Sequence, residues 1–434
     1  MDLLEAHSQD EEISADQHEQ NIQIGSEAPV YPTSIWRNRD YLLLWSGQIV
    51  SAVGSRVSQL AFPLLMFAVT HSPAQAGFLS AARGVAYAVC MLPAGALVDR
   101  WNRKRVMILS DAGRALALGS IPIAVALGHL TIVQLYIVSL VEGGLFVFFG
   151  LAEAAAIPRV VGKEQIGDAT AQVQIIDSAS SLIGPSLGGA LFGLGQLFPF
   201  LVDAISYVCS VVSLCFIRRE FQEERAANET QMTLRQLYAE VREGLVWLWR
   251  EPLLRFIALL TGGLIFPVAG YALIVIVLAQ GQHASNAEIG LIFAGGGVGT
   301  LAGALLSGPV QRRFSFGRIM TVGTWAWALT WLLFAVARTP LALGIVTGVT
   351  FVVVPVYMAA QFSYRLRLIP DHLQGRVNSV FRLIAFGSEP LGLALTGVLL
   401  QVWGPVPTIL ILFAPQLVLA IAATYSRSLR TARA

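Results

Sequence analysis

Several ionisable residues stand inside long apolar segments of the chain, where a charged group costs about 2.5 kcal/mol or more to bury in hydrocarbon. Four of them are candidates for a functional role. Glu142 and Arg56 each lie near the middle of a segment, and we expect them to form a pair. Glu389 follows Arg382 at a spacing that would put both on one face of a helix. A carboxylate that exchanges a proton for a positive partner can couple transport to a proton gradient, and Glu142 is the first candidate. Static buried ion pairs are the alternative.

A second group of charges fills a short connection between two apolar segments. The segments, residues 74–98 and 106–127, are long enough to cross a ~30 Å hydrocarbon core, which takes ~20 helical residues. A connection this tight predicts a hinge at the membrane surface. Its glycine and its charged residues are Gly95, Asp99, Arg100, Arg103, Lys104 and Arg105.

Twelve apolar segments predict the architecture. With 55% hydrophobic and 13% charged residues, the chain has more apolar surface than a soluble core can cover. We therefore expect an all-α polytopic membrane protein. The segments are residues 41–69, 74–98, 106–127, 131–155, 169–194, 198–217, 254–280, 287–310, 319–337, 341–363, 376–402 and 406–424.

The Lys and Arg residues predict the orientation of the segments. Of the 29, only Arg338 falls in an odd-numbered loop, and almost all the others lie in even-numbered loops or in the tails. Four fall within segments: Arg56, Arg83, Arg114 and Arg382. Because positively charged loops remain in the cytoplasm, we expect both termini to be cytoplasmic and the protein to lie in the plasma (inner) membrane.

The hinge connection resembles the G-x-L-x-D-R-x-G-R-K-R loop between the second and third helices of major facilitator superfamily transporters. Asn102 replaces one glycine of that pattern, and asparagine tolerates a left-handed backbone. The resemblance implies twelve transmembrane helices in two six-helix bundles. We expect Asp99 and Arg103 to stabilise the state closed to the cytoplasm, with Glu153 as the partner of Arg103 and with Asp99 near Arg376.

Further residues resemble one branch of that superfamily. Residues 38–48 and 369–378 are similar to its macrolide and siderophore (enterobactin) exporters, although the branch also includes a lysophospholipid flippase. In the fifth segment, Gly184, Pro185, Gly188 and Gly189 resemble the G-P-x-x-G-G core of the antiporter motif of proton-coupled drug exporters. Pro185 would bend the helix, and the glycines would allow close helix contact. The resemblance favours export.

A polar stretch divides the chain into two halves of six segments, and the loop at 95–107 is echoed at 308–320. Apolar residues at helical spacing within this stretch predict an amphipathic interfacial helix. The expected organisation is a disordered acidic cytoplasmic tail (1–35), an N-terminal six-helix bundle (36–217), a cytoplasmic linker with an amphipathic helix (218–253), a C-terminal six-helix bundle (254–424) and a basic cytoplasmic tail (425–434).

The sequence carries no convincing catalytic or cofactor motif. Residues 297–302 formally fit a G-x-G-x-x-A dinucleotide pattern, but no strand is predicted before them and they lie inside an apolar helix. The three cysteines show no C-x-x-C spacing, and Gly162-Lys163 is followed by Glu164 instead of the Ser or Thr of a phosphate-binding loop. A net charge of +2 gives no reason to expect a nucleic-acid partner. We expect neither enzyme activity nor a cofactor or metal, and we expect a monomer.

These observations predict a secondary active transporter. Its expected cargo is a hydrophobic or amphipathic small molecule, such as a drug, a macrolide or a siderophore-like compound. The expected mechanism is export by proton antiport with alternating access. The expected partners are the small molecule, protons and the lipid bilayer. The alternatives are a lysophospholipid flippase of the same fold and a non-transporting membrane receptor or scaffold.

Overall fold

A computed structural model describes residues 34–98, 100–219, 221, 234–370 and 373–431. Within these ranges every regular element is helical, and two short 3-10 turns, Ile35–Arg37 and Lys163–Gln165, accompany the α-helices. The expectation of an all-α protein is confirmed. Residues 1–33, which hold nearly all of the expected acidic tail, and Asp99 of the expected hinge lie outside the described residues.

The first bundle contains six helices that correspond to the first six apolar segments. They are α1 (Arg39–Thr70), α2 (Pro73–Val98), α3 (Arg103–Ala126), α4 (Ile132–Val160), α5 (Ile166–Leu194) and α6 (Phe198–Phe216). Eleven spans in the described residues are apolar and long enough to cross a membrane. The 26-residue α2 is also long enough and is the twelfth.

The second bundle follows a helix, α7 (Leu234–Arg250), that lies within the predicted linker. Its first and fifth spans are each divided into two helices. The helices are α8 (Pro252–Val268), α9 (Tyr271–Gly281), α10 (Asn286–Arg313), α11 (Phe316–Val336), α12 (Pro340–Leu368), α13 (Gln374–Phe386), α14 (Glu389–Trp403) and α15 (Pro405–Tyr425), followed by the short α16 (Arg427–Thr431).

Polar side chains set the start of several helices. The Asn102 side chain accepts a hydrogen bond from the backbone N–H of Arg105 at the start of α3. Asn102 has a φ of −62°, so the left-handed turn expected there is wrong and the residue acts as a helix cap. Ser285 and Glu288 form a reciprocal capping box at the start of α10.

Two predicted segments, 254–280 and 376–402, are interrupted near their middle. Pro267 lies in the last turn of α8, and Pro390 lies in the first turn of α14, where proline ends or redirects a helix. The first interruption packs against α14, because a Cβ on Gly270 would collide with the side chain of Thr396. Discontinuous helices of this kind often hold the substrate and ion sites of transporters.

Within the described residues, the bundles touch each other in only one half of their length. We call the side with the connections α2–α3, α4–α5, α10–α11 and α12–α13 the basic face, and the other side the opposite face. Toward the opposite face, a Cβ on Gly189 of α5 would lie 2.6 Å from the Cα atom of Gly290 of α10. A Cβ on Gly397 of α14 would lie 3.0 Å from the Cα atom of Gly77 of α2.

The apolar core has the same asymmetry. One cluster of buried residues includes members of both bundles, among them Leu64 of α1 and Ile289 of α10, near the opposite face. Nearer the basic face each bundle has its own cluster. A Cβ on Gly167 of α5 or on Gly308 of α10 would meet no other described part of the chain within 4 Å. The space between the bundles, here called the gap, therefore opens at the basic face.

Candidate functional site

Glu142 of α4 is buried, and two guanidinium groups bind its carboxylate. Arg83 of α2 does so with two nitrogens: Nε donates to Oε2, and Nη2 donates to Oε1 at 3.1 Å. Arg114 of α3 donates from Nη2 to Oε1 at 3.0 Å. Glu142 is only 1% exposed. One carboxylate thus ties three helices of the first bundle together.

Arg114 is the centre of this buried network. Its Nη1 donates to Asp111 Oδ1 at 3.3 Å, and its Nη2 also donates to Ser55 Oγ at 3.3 Å. The guanidinium lies 4.0 Å from the ring centroid of Tyr207, and the Tyr207 hydroxyl lies 2.8 Å from Ser55 Oγ. These contacts compensate a cation that would otherwise be costly within a membrane.

The network holds three buried carboxylates, Glu142, Asp111 and Asp203, against the two arginines. Asp203 Oδ1 accepts a hydrogen bond from Ser206 Oγ at 3.1 Å. Because the three carboxylates and Arg114 are buried, the loss of Arg114 would leave buried charge without compensation. The arrangement around Arg114 is that of a structural centre for the first bundle, whereas the Arg83 side chain is 25% exposed and lies at the edge of the network.

The expected pair of Arg56 with Glu142 is not formed. Arg56 instead donates from Nη2 to Asp177 Oδ1 at 2.6 Å and from Nη1 to Gln59 Oε1 at 3.2 Å. The reason is helix rotation: Glu142 faces α2 and α3, where two other arginines bind it. The side chains of Arg56 and Asp177 are 34% and 57% exposed, so this pair meets open space in the middle of the membrane-spanning helices.

The Arg56–Asp177 pair faces the gap. Arg56 acts electrostatically on Tyr271, which belongs to the second bundle. Gln59, one turn along α1 from Arg56, is also exposed. Exposed polar groups at this depth are costly in contact with lipid, which indicates that they face the gap. We call the surface that includes Arg56, Gln59 and Asp177 the polar wall.

Helix α5 continues this wall. A Cβ on Gly297 of α10 would lie 2.6 Å from the Cα atom of Leu182, so Leu182 marks the face of α5 that meets the other bundle. Four and eight residues earlier, the same face presents Ser178 and Gln174, both exposed. The polar wall therefore runs from Gln174 to Arg56.

The second bundle supplies an apolar wall. The ring centroid of Tyr271 lies 5.0 Å from that of Phe351 and 5.9 Å from that of Phe293. Tyr271 and Phe351 are partly exposed. On α10, Leu301 and Leu305 follow the Gly297 contact at helical spacing and are 51% and 71% exposed. A molecule in the gap would meet polar groups on one side and rings and leucines on the other.

The second expected pair, Arg382 with Glu389, is not formed either. The two residues lie on different helices, because α13 ends at Phe386 and α14 begins at Glu389. Neither side chain takes part in an ion pair or a hydrogen bond within the described part of the chain. The cation that acts on Glu389 is Arg83.

The expected hinge has different partners from those predicted. Arg103 donates to the carbonyl oxygens of Ala155 at 2.9 Å and Phe221 at 3.3 Å, whereas Glu153 is bonded to no cation in the described ranges. Lys104 donates to the Ile217 carbonyl at 2.6 Å, at the end of α6, where the helix dipole favours a cation.

The other hinge residues surround this contact. Arg100 and Arg105 are exposed, and a Cβ on Gly95 would meet nothing else in the described chain within 4 Å. Arg376, the expected neighbour of Asp99, donates from Nη1 to Glu243 of α7 at 2.5 Å. Asp99 itself lies outside the described residues.

The four residues of the expected helix-bend motif lie at close helix contacts. Gly184 and Gly188 face α1, and a Cβ on Gly188 would lie 2.9 Å from a backbone carbonyl oxygen of that helix. Gly189 faces Gly290 of the second bundle. Pro185 lies inside α5, and its carbonyl oxygen would be 3.0 Å from a Cβ on Gly290. The motif therefore serves both an internal contact and the contact between bundles.

Sequence reasoning did not assign partners to Arg83, Arg114 or Asp111. The first two were recognised only as arginines within apolar segments. Asp111 and Arg114 are three residues apart on α3, a spacing that places oppositely charged side chains together, and this signal was available. The rotation of α2, which turns Arg83 toward Glu142, has no comparable local signal.

Comparisons with known proteins give matches over most of the chain. A family model described as transmembrane secretion effector matches residues 31–434. The multidrug efflux pump Tap of Mycolicibacterium fortuitum is 27% identical over 405 residues, which cover 90% of this chain and 96% of Tap. The enterobactin exporter EntS of Salmonella typhimurium is 26% identical over 361 residues, which cover 83% of this chain and 85% of EntS.

Solved structures share the fold. The crystal structure of the nucleoside transporter NupG superposes with a TM-score of 0.71 at 15% sequence identity. The match covers 89% of this chain and 98% of that chain. At this identity the likeness shows a common architecture of twelve helices in two bundles, which confirms the predicted fold.

Proposed function

Because the chain belongs to the transmembrane secretion effector family of the major facilitator superfamily and is a multi-pass efflux transporter, we propose that it exports an amphipathic small molecule by alternating access in exchange for protons. The observation that carries this proposal is the gap between the bundles, with its polar wall on one side and its apolar wall on the other.

The two walls favour an amphipathic cargo. Arg56 and Asp177 offer a charged pair at mid-depth, and the second oxygen of Asp177 has no bonding partner among the described residues. Tyr271 and Phe351 present rings on the other wall, and rings favour stacking with flat apolar groups. A molecule with one polar end and one aromatic or aliphatic end would satisfy both walls at once. The relatives Tap and EntS carry the words multidrug and enterobactin in their names, which agrees with a cargo of this kind.

The contacts between the bundles favour alternating access. The glycines at the opposite face allow backbones of the two bundles to meet closely, and a shared apolar cluster and a hydrogen bond from Ser72 Oγ to Gln401 Oε1 at 2.8 Å also join the bundles there. Alternating access would break these contacts together, with the bundles moving as rigid bodies. The basic face would lie in the cytoplasm by the positive-inside rule. The structure would then be open to the cytoplasm, which is where an exporter loads its cargo.

Purified protein in proteoliposomes tests the proposal. The probes are ethidium, a flat aromatic cation, and enterobactin, each loaded on the side that the basic face contacts. A pH gradient that makes the side of the opposite face acidic is then imposed. We expect gradient-driven movement of at least one probe away from the basic face, and we expect an uncoupler to abolish accumulation while downhill flux persists.

Asp177→Asn should lower the initial rate of probe export by about tenfold, equivalent to about 1.4 kcal/mol of lost interaction. The matched control is Glu251→Gln, because Glu251 is an exposed carboxylate at the start of α8 and lies outside the gap. Equal loss in both variants would contradict the role of the polar wall. Movement of lysophosphatidylcholine alone would indicate a lipid flippase, and absence of all flux would indicate a receptor or scaffold.

A further inference from the structure

Arg83 of α2 stands between two carboxylates that belong to different bundles. Toward the first bundle it binds both oxygens of Glu142. Toward the second bundle it acts electrostatically on Glu389. The backbone geometry agrees, because the residues that follow them are neighbours: a Cβ on Gly84 would lie 3.0 Å from Cγ of Pro390. The Arg83 guanidinium therefore lies at an interface between the two bundles.

The two carboxylates differ in their access to water. Glu142 is 1% exposed and is bonded by two arginines. Glu389 is exposed, and no side chain or backbone group in the described ranges bonds to it. It lies in the first turn of α14, at the interruption of a span, where the helix dipole favours a negative charge. Glu389 is thus the one of these two carboxylates that water in the gap can reach.

Few other titratable or charged groups surround Glu389. Helix α14 packs against α2, α8, α9 and α15 and follows α13 in the chain. Among the described groups on all these helices, Arg83 is the one that acts on Glu389. The titratable or charged residues on these helices are Arg83, Tyr87, Cys90, Arg255, Tyr271, Arg376, Arg382 and Tyr425.

We propose that Glu389 is the carboxylate that binds and releases the exchanged proton, and that Arg83 is a positioning residue that moves from Glu142 toward Glu389 when the proton leaves. This inference rests on the proposed function, because it identifies the site of the exchanged ion. An O–H bond forms on Glu389 with a proton taken from water on the opposite face. It breaks when that proton passes to water in the gap at the basic face.

Dehydration of the Glu389 carboxylate determines how pH should affect closure of the basic face. With the gap open at the basic face, water solvates the Glu389 carboxylate. When the basic face closes, the carboxylate loses that water and must either be protonated or gain a cation. Arg83 can supply the cation only by giving up bonds to Glu142, which Arg114 would continue to hold. Acidic conditions should therefore favour closure of the basic face.

Distances between spin labels test the inference without any cargo. The labels are placed at Gly167→Cys and Gly308→Cys, where a side chain meets no other described part of the chain, in a background that lacks Cys90, Cys209 and Cys215. In the parent we expect the shorter-distance population to grow as the pH is lowered, because protonation removes the charge that must otherwise be compensated when the basic face closes.

Two variants separate the roles of the residues. Glu389→Gln mimics the protonated form, so we expect a raised closed fraction that no longer changes with pH. Arg83→Gln removes the compensating cation, so we expect a closed fraction below that of the parent at high pH but equal to it at low pH. Glu251→Gln is the control for loss of a carboxylate elsewhere, and we expect it to retain the parent response. Retention volume and thermal unfolding in detergent show whether each variant is folded.

The outcomes distinguish this inference from the proposed function. A parent pH response that persists in Glu389→Gln would show that another group titrates. The closed fraction of Arg83→Gln could instead equal that of the parent at high pH, or fall by the same amount at high and low pH. Either result would show that Arg83 has only a structural role. If Arg83→Gln does not fold, Arg83→Lys keeps the charge with fewer hydrogen bonds and should keep a pH response. Either of the first two results would contradict the roles of Glu389 and Arg83 and would leave the proposal of export unaffected. Absence of flux in the parent would contradict export, and the pH measurement would still stand.

Discussion

Gly189 of α5 and Gly290 of α10 meet so closely that a Cβ on Gly189 would lie 2.6 Å from the Cα atom of Gly290. The two residues belong to different bundles, and their contact closes the opposite face. Because no side chain interlocks there, the contact can be made and broken as a unit during transport. Its strength depends on close backbone approach, which any larger residue would prevent.

Gly189→Ala should weaken this closure. The added methyl group meets backbone atoms that cannot yield easily, and overpacking of this kind costs about 1–3 kcal/mol. We expect the label pair at residues 167 and 308 to shift toward shorter distances, because the bundles separate at the opposite face and approach at the basic face. Gly193→Ala is the matched control, since a Cβ there would lie 3.8 Å from its nearest neighbours. An identical response of both variants would show that the contact does not control the equilibrium.

Arg114→Gln should destabilise the first bundle severely. It removes the cation that Glu142 and Asp111 share, and breaking a buried pair by removing one partner costs about 3–5 kcal/mol. We expect a large fall in the thermal unfolding midpoint in detergent, or loss of folded protein. Arg382→Gln provides the comparison, because Arg382 is an exposed arginine with no bonding partner in the described part of the chain. Similar midpoints for the two variants would contradict a structural role for the network.

The helices could be predicted from the sequence because their length and apolar composition are local properties. Both interruptions were missed, although each has a proline, Pro267 or Pro390, close to it. A segment of sufficient apolar length predicts one span whether or not its helix is continuous. The proline positions carry the missing information, since proline cannot continue a regular helix without losing a backbone hydrogen bond.

The partners of the buried charges could not be predicted in the same way. In the sequence, Arg56 and Arg83 are equivalent: each is a single arginine within an apolar segment. Which of them reaches Glu142 depends on how each helix is rotated about its axis, and that rotation is set by packing with distant helices. The place of Glu142 near the middle of its helix is a local property that the sequence carries, whereas its neighbours required the folded structure.

The connection between α2 and α3 should control transport more than folding. We expect Asp99→Asn to lower flux while membrane expression stays at the level of the parent, because a neutral residue removes one charge from the surface that closes at the basic face. Glu251→Gln is the control, since Glu251 is an exposed carboxylate at the start of α8 and lies outside this connection. The measurement is initial flux in proteoliposomes normalised to protein. Unchanged flux in Asp99→Asn would remove this connection from the mechanism.

The orientation of the chain decides the direction of transport, and two single cysteines can measure it. His129 is exposed on the α3–α4 connection at the opposite face, and Ser315 is exposed on the α10–α11 connection at the basic face. The Ser315 side chain makes no capping hydrogen bond to its helix, so its replacement should not disturb the fold. In a background without native cysteines, we expect an impermeant thiol reagent added to intact cells to label His129→Cys and to leave Ser315→Cys unlabelled until the membrane is permeabilised. The reverse pattern would place the basic face outside. The gap would then open to the exterior, and the same structure would describe a protein poised to take up its cargo.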